Sequence, residues 1–360
     1  MKIACIAYLH GFGGAERQIT TLANQLVKKN NEVHLIIIAE DKRFYEIDSR
    51  IHIHSLLEAE KGHTIFRILN RRKLLLRKLK DLKCDVIINF NLQSAYLLAL
   101  SNKKGIGKIL YSERTNPGDQ KYKGFLGLLR WMSKHRIDAY VFQTKGAQEY
   151  FNDTYIIKNS TVIPNACFYK KDSSYAYKRE KRIVSVGRLS EQKNQKILIE
   201  AFSILSKKHP DYILELYGEG ELQSKLEHLS KKLGIENKVV FKGTTSDIRT
   251  SISNASLFVL SSNYEGIPNA LIEAMASGLP CISTDCKPGG ARALITSGYD
   301  GLITPIEEVA SLASAMEYMI NNPKESERMA LNATKIVDRL APEKIYDMWE
   351  RYLENIVESN

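Results

Sequence analysis

The sequence predicts an α/β protein of two doubly wound, Rossmann-like domains, and three observations carry that prediction. Short apolar runs alternate with helical stretches, which calls for parallel strands covered by helices on both faces. The alternation breaks after Asn165 into the polar, aperiodic stretch CFYKKDSSYAYKREK and resumes at Arg182. A chain of 360 residues is also too long for one ordinary core, at ~150 residues per domain. The expected division is 1–168 and 169–341, with a helix over 342–360, rich in Tyr346, Trp349 and Tyr352, packing back on the first domain.

Taken in order, the first domain should hold strands at Lys2 to Leu9, Glu32 to Ala39, Ile51 to Leu57, Asp85 to Phe90, Lys108 to Ser112, Asp138 to Thr144 and Ser160 to Pro164. The helix after the first strand shows its apolar face as Ile19, Leu22, Ala23, Leu26 and Val27, at helical spacing. The second domain begins with RIVSVG and continues through YILELYG, VVFKG, LFVLSS, PCISTD and GLITP, with helices between. No apolar run reaches the ~18 residues that span a bilayer, and the first residues, MKIACIAYLHGFGG, read as a strand and turn rather than a signal peptide.

Five cysteines, Cys5, Cys84, Cys167, Cys281 and Cys286, form no CxxC pair and suit reduced thiols in a cytoplasmic protein. No HExxH or DxD occurs, His52 and His54 read as solvated on one strand face, and no metal site or cofactor is expected. The net charge of +11 is unevenly placed: residues 1 to 165 hold 27 Lys+Arg against 15 Asp+Glu, +12, and the remainder is −1. That asymmetry predicts a polyanionic partner for the first half.

Six turns at the ends of strands can carry chemistry, five in the second domain and one in the first. In SSNYEGIPNALIEAMASGLP, Glu265 falls on the loop after a strand, and Glu273 lies in the helix that starts at Pro268 and Asn269. Ligands of open α/β sheets bind at the strands' carboxyl ends, so both carboxylates can face one ligand, and Gly266 lets the backbone approach it. In VGRLSEQKN, Arg188 and Lys193 stand five apart on the loop after Gly187, where two cations can clamp a diphosphate. In DCKPGGARAL, Gly289 and Gly290 can offer backbone N–H groups to the same diphosphate. YGEGEL, with Gly218 and Glu219, and KGTTSDI, with Thr244, can bound a nucleobase. In the first domain GFGGAER joins strand one to helix one; as a dinucleotide fingerprint it fails at the third glycine, where Glu16 stands.

In this order and spacing the GGAER turn, GRLSEQKN, YGEGEL and EGIPNALIE resemble the family 4 (GT4) retaining glycosyltransferases, and EGIPNALIE looks like that family's E-x7-E signature. The resemblance runs through nearly the whole chain. It implies the GT-B fold, two facing Rossmann-like domains with a cleft between them, and no metal. It further implies that Arg188 and Lys193 hold the donor diphosphate, that Glu265 meets the donor sugar and Glu273 the nucleotide ribose, and that Gly266, Ile267 and Asn269 also bind the donor. Gly13 and Gly14 would line the cleft from the other side. Many relatives carry a histidine at the tip of the fifth strand of the first domain; here that segment reads YSERTNP, with Glu113 and Arg114 as acceptor-side candidates.

The expected activity is retaining transfer of a hexose or N-acetylhexosamine from a UDP-sugar to a polyprenyl-diphosphate-linked glycan of a cell-surface polysaccharide. The basic first domain would hold the acceptor, at the cytoplasmic face of the membrane. Lys61 to Lys83 strengthens that expectation, with nine Lys+Arg against Asp81 alone. Ile65, Ile68, Leu69, Leu75, Leu76, Leu79 and Leu82 form an apolar face, as in a crossover helix packed on the sheet core, while cations including Arg71, Arg72 and Lys73 crowd the rest, which suits an anionic membrane surface or a lipid diphosphate. Rival readings are another GT-B enzyme such as a nucleotide-sugar epimerase, an NAD oxidoreductase, or a basic nucleic-acid-binding protein. The last lacks interleaved stacking aromatics, and no nucleic-acid partner is expected.

Overall fold

A computed structural model describes all residues except 10–13, 42–44, 57–63, 102–103, 119–123, 158, 170–178, 246 and 360. The chain forms two compact units, Met1–Asn165 with Glu343–Asn360, and Ala166–Pro342. The first contains β1 (Lys2–Leu9), α1 (Gly14–Lys28), β2 (Glu32–Asp41), β3 (His52–Ser55), α2 (Thr64–Leu82), β4 (Val86–Asn89), α3 (Leu92–Ala99), β5 (Lys108–Glu113), α4 (Phe125–Ser133), β6 (Ala139–Phe142), α5 (Lys145–Tyr155) and β7 (Ser160–Val162). The second contains β8 (Glu180–Val186), α6 (Gln195–Lys208), β9 (Ile213–Tyr217), α7 (Gln223–Lys232), β10 (Val239–Gly243), α8 (Ile248–Ile252), β11 (Ala255–Leu260), α9 (Asn269–Ala276), β12 (Cys281–Thr284), α10 (Gly290–Leu294), β13 (Leu302–Thr304), α11 (Val309–Asn321), α12 (Pro323–Ala333) and α13 (Ile336–Arg339). The final helix, α14 (Pro342–Glu358), belongs almost wholly to the first unit.

Each unit is one parallel sheet that starts in the middle, winds outward, and returns past its first strand. The strand orders are β3-β2-β1-β4-β5-β6-β7 and β10-β9-β8-β11-β12-β13. The order therefore reverses between β1 and β4, and again between β8 and β11, the switch points where loops from neighbouring strands leave room for a ligand. The predicted fold class stands. Strand ends shift by at most two residues; β8 begins at Glu180, whose N–H donates to the Asn254 carbonyl at 2.8 Å.

The apolar face of α1 is buried as the spacing predicts. The last helix is tied down by Lys29, whose ammonium donates to Asp347 and Glu350 at 2.6 Å each, and by the Tyr352 hydroxyl, which bonds the Tyr140 carbonyl at 3.2 Å and Asn159 at 3.0 Å. All five cysteines are buried, and none forms a disulfide.

Two expectations change. On α2, Leu75 and Leu79 are buried, but Ile68 and Leu69 are 41% and 53% exposed, so the apolar stripe covers the core over the second half of the helix alone. The reason is the length of α2: the Arg71 guanidinium already lies over the ring of Tyr8, near the end of β1, at 5.8 Å, and earlier residues run past the sheet's carboxyl edge. Lys61 and the Ile65 side chain lie outside the described residues.

The histidines of β3 are not simply solvated. Parallel pairing sets His34 of β2 opposite His52, and the His34 ring stacks on His52 and His54, with Nδ1 of His34 3.0 Å from Nε2 of His54. Burial first, and then the positive charge of Lys78, pull the His54 pKa down to about 4, and burial lowers that of His34. The unfolded chain then binds more protons than the folded one below its ordinary histidine pKa of about 6.5, so stability is lost as pH falls through that value toward 4. Unfolding of the first unit by denaturant should show its midpoint declining from pH 7 to 5. The His54→Gln variant should decline less steeply, and an equal slope in both would contradict this origin.

Candidate functional site

In the second unit the five chemical turns converge at the carboxyl ends of β8, β9, β10, β11 and β12. Lys193, on the turn after β8, donates from Nζ to Oε1 of Glu265 at 2.5 Å, and the same oxygen accepts from Ser262 Oγ at 2.9 Å. Glu265 is buried, Lys193 keeps 19% of its side chain exposed, and the pair joins residues 72 apart in sequence. These two partners supply the charge and the hydrogen bonds that burial takes away from the carboxylate. The Glu265 N–H donates to the Lys287 carbonyl at 2.8 Å, which binds the β11 and β12 loops together.

Glycines set the spacing of these loops. A Cβ on Gly290 would overlap the Gly266 carbonyl oxygen, and one on Gly218 would overlap that of Gly187, so both contacts exist because these positions lack a side chain. The stem of Lys193 packs on Gly187. Leu189 N–H donates to the Glu219 carbonyl at 3.0 Å, which brings YGEGEL against GRLSEQKN. Thr244 Oγ1 reaches Glu219 Oε1 at 3.4 Å, and both residues are exposed.

Arg188 is exposed, and its guanidinium has no partner among the described residues. It is an open cation on the same loop as Lys193. Pro268 caps α9 as the sequence predicts, with Asn269 at its first position and Glu273 half-buried one turn further in, while Ile267 is buried. The Gly289 N–H already donates to the Cys286 carbonyl at 2.9 Å. Gly290 opens α10, where the first N–H groups of a helix have no intrahelical acceptor.

The first unit places its candidates differently. Gly14 opens α1, and Gly13 lies outside the described residues. Glu113 is 2% exposed and filled from within: Oε1 accepts from the N–H groups of Arg114 and Thr115 at 3.1 Å each and from the Thr115 hydroxyl at 3.0 Å. Its Oε2 accepts from Tyr111 at 3.0 Å and from Arg130 at 3.2 Å. Arg114 lies 4.0 Å over the Phe90 ring and 5.5 Å over Trp349, and donates to Asn165 at 3.2 Å. Removal from water pulls its pKa down to about 9, and its Nε is buried without an acceptor among the described residues. Arg72 donates to Ser101 at 2.8 Å, Arg71 faces Tyr8, and Lys73 is exposed. Among the described residues no group of three or more His, Cys, Asp or Glu is placed to hold a metal ion, and no helix is long and apolar enough to cross a membrane.

Sequence reasoning missed the direct Lys193–Glu265 pair, because parallel loops meet in space without a signal in their separation. It also missed Arg130, the buried partner of Glu113, whose place inside α4 among Leu128, Leu129 and Trp131 was the available sign.

Two family models match the chain. "Glycosyl transferases group 1" covers residues 170–336, and "Glycosyltransferase Family 4" covers residues 12–167. An uncharacterized glycosyltransferase of Haemophilus influenzae is 28% identical over 344 residues, 95% of this chain and 96% of its own length. An α-1,4-N-acetyl-D-galactosaminyltransferase of Campylobacter jejuni, named for a glycan acceptor on PP-undecaprenol, is 29% identical over 363 residues and 99% of each chain. The crystal structure of S. aureus TarM bound to UDP superposes with a TM-score of 0.82 at 15% identity, covering 98% of this chain and 99% of that one. Two parallel-sheet units with this topology, matched from residue 12 to residue 336, assign the chain to the family 4 glycosyltransferases, of GT-B fold.

Proposed function

We propose that this glycosyltransferase moves a hexose or N-acetylhexosamine from a UDP-sugar to a glycan carried on polyprenyl diphosphate. It would do so without a metal and with retention of the anomeric configuration, in cell-surface polysaccharide synthesis at the inner face of the membrane. The observation that carries the reading is the buried Glu265, paired with Lys193 on the loop that also holds the open cation Arg188, where loops converge at the carboxyl edge of the second sheet. The lipid-linked acceptor of the Campylobacter relative supports the acceptor class.

In this reading the second unit holds the donor. Arg188, Lys193 and the Gly290 N–H face the diphosphate, Glu273 and Asn269 the ribose, and Gly218, Glu219 and Thr244 the base. Glu265, with Gly266 and Ile267, accepts hydrogen bonds from the sugar and favours the positive charge that grows at its anomeric carbon. The bond from that carbon to the diphosphate oxygen breaks while the acceptor oxygen adds on the same face, and the acceptor proton passes to the departing diphosphate. Arg188 and Lys193 stabilise the charge on that leaving group, the part a DxD-held metal plays elsewhere. On the first unit Arg71, Arg72 and Lys73 attract the acceptor diphosphate and the anionic membrane surface. Glu113 fixes the loop after β5, and Arg114 follows it on the acceptor side.

The test is a thermal shift with UDP and NAD in the presence of EDTA. UDP should raise the melting temperature with the chelator present, by an amount that grows with ligand concentration, and NAD should not. Arg188→Ala should weaken UDP binding about 30-fold, on the scale of ~2 kcal/mol for a lost charged partner. A UDP shift abolished by EDTA and restored by Mn²⁺ would overturn the metal-independent reading.

A further inference from the structure

Helix α4 is inverted with respect to water. Its buried residues include Arg130, 1% exposed, and Ser133, fully buried, while Leu128, Trp131 and Met132 are 52%, 57% and 48% exposed. Positions 128, 131 and 132 are three and four apart, so they share one helix face. The inward polar residues have partners that account for them: Arg130 bonds Tyr96, the Pro117 carbonyl and Glu113, and Ser133 bonds the Arg130 carbonyl. Among the described residues nothing comparable accounts for an outward face made of Leu, Trp and Met, which water disfavours.

The surroundings of that face identify what covers it. The Lys134 ammonium stands 5.6 Å from the Trp131 ring centroid, and His135 and Arg136 are exposed just past the helix end. Helices α2 and α4 both pack on α3, and α2 adds the exposed Ile68 and Leu69 next to Arg67, Arg71 and Lys73. Exposed apolar side chains flanked by cations, in a half of the chain carrying +12, complement an anionic bilayer. Leu and Met enter the acyl boundary, Trp sits at headgroup level, and Lys and Arg meet the lipid phosphates. A second copy of the chain meeting this face through a two-fold axis would bring two basic surfaces together, which repel.

We propose that α4 docks on an anionic lipid bilayer, with Leu128, Trp131 and Met132 inserted into its interfacial region. This extends the reading of a lipid-linked acceptor. The test measures membrane binding alone, so its failure would leave that acceptor chemistry standing. The chain has two tryptophans, and Trp349 is buried at 2% exposure, so an emission change on membrane binding reports Trp131. Phosphatidylglycerol–phosphatidylcholine vesicles should shift the emission to the blue, brominated acyl chains should quench it, and high salt should weaken binding. Leu128→Ser/Met132→Ser, both at exposed positions, should fold normally by circular dichroism and bind these vesicles about 10-fold more weakly, the scale expected for losing two inserted apolar side chains. The Arg71→Glu/Arg72→Glu/Lys73→Glu variant should lose the salt-sensitive part of binding. The proposal is overturned by vesicle binding without an emission change, or by full binding of Leu128→Ser/Met132→Ser. It is equally overturned by a blue shift that grows with protein concentration in the absence of lipid, or by one seen only on adding another protein.

Discussion

Glu265→Gln is expected to lower kcat by about 10²–10³-fold while changing UDP affinity little, the signature of a group that acts more strongly on the transition state than on the bound donor. The substitution keeps the size of the side chain and removes the charge, so it tests electrostatics rather than shape. Its partner Lys193 would face a neutral amide, and Ser262 Oγ would still find an oxygen to bond. Glu273→Ala, one helical turn into α9, should instead raise the KM for the donor sugar nucleotide with a smaller effect on kcat. A Glu265→Gln enzyme that melts earlier but turns over normally per folded molecule would make the Lys193–Glu265 pair a structural tie. Near-wild-type kcat/KM in both variants would remove these carboxylates from the donor site.

The largest expected effect on stability lies in the first unit, at Arg130. Its guanidinium is buried against Glu113, Tyr96 and the Pro117 carbonyl and stands 4.8 Å from the Phe151 ring centroid. Arg130→Met fills similar space yet strands the Glu113 carboxylate, and breaking a buried pair from one side costs about 3–5 kcal/mol. At roughly 2–4 °C per kcal/mol for a unit of this size, its melting temperature should fall by on the order of 10 °C. Adding Glu113→Gln should recover part of the loss, because the stranded charge is then gone while Arg114 and Thr115 can still donate to the amide oxygen. A single variant within 1 kcal/mol of wild type, by denaturant unfolding, would contradict this account.

The difference between what was legible and what was not is physical. Alternation of Leu, Ile and Val runs with helical spacing reports local burial, so strands such as Lys2–Leu9 and the α1 face could be placed from sequence. Pro268 and Asn269 fixed the start of α9 because a proline is suited to a helix N-terminus by its own geometry. Contacts between distant loops leave no such local trace: Lys193 meets Glu265 only because β8 and β11 are neighbours in the sheet. Apolar spacing also cannot say where a helix outruns its sheet, so Ile68 and Leu69 read as core and stand exposed. Arg130 failed for the opposite reason, being one more cation in a basic half until Glu113 and Tyr96 surrounded it.

The central claim, transfer from a UDP-sugar to a lipid-linked glycan without a metal, is tested most directly by product formation. The enzyme would be incubated with a panel of UDP-hexoses and UDP-N-acetylhexosamines, a polyprenyl-diphosphate-linked acceptor and EDTA, and the new linkage read by NMR. The account predicts one or a few donors giving a glycosylated lipid with the anomeric configuration of the donor retained. An inverted linkage, or a donor epimerised with no acceptor consumed, would contradict it.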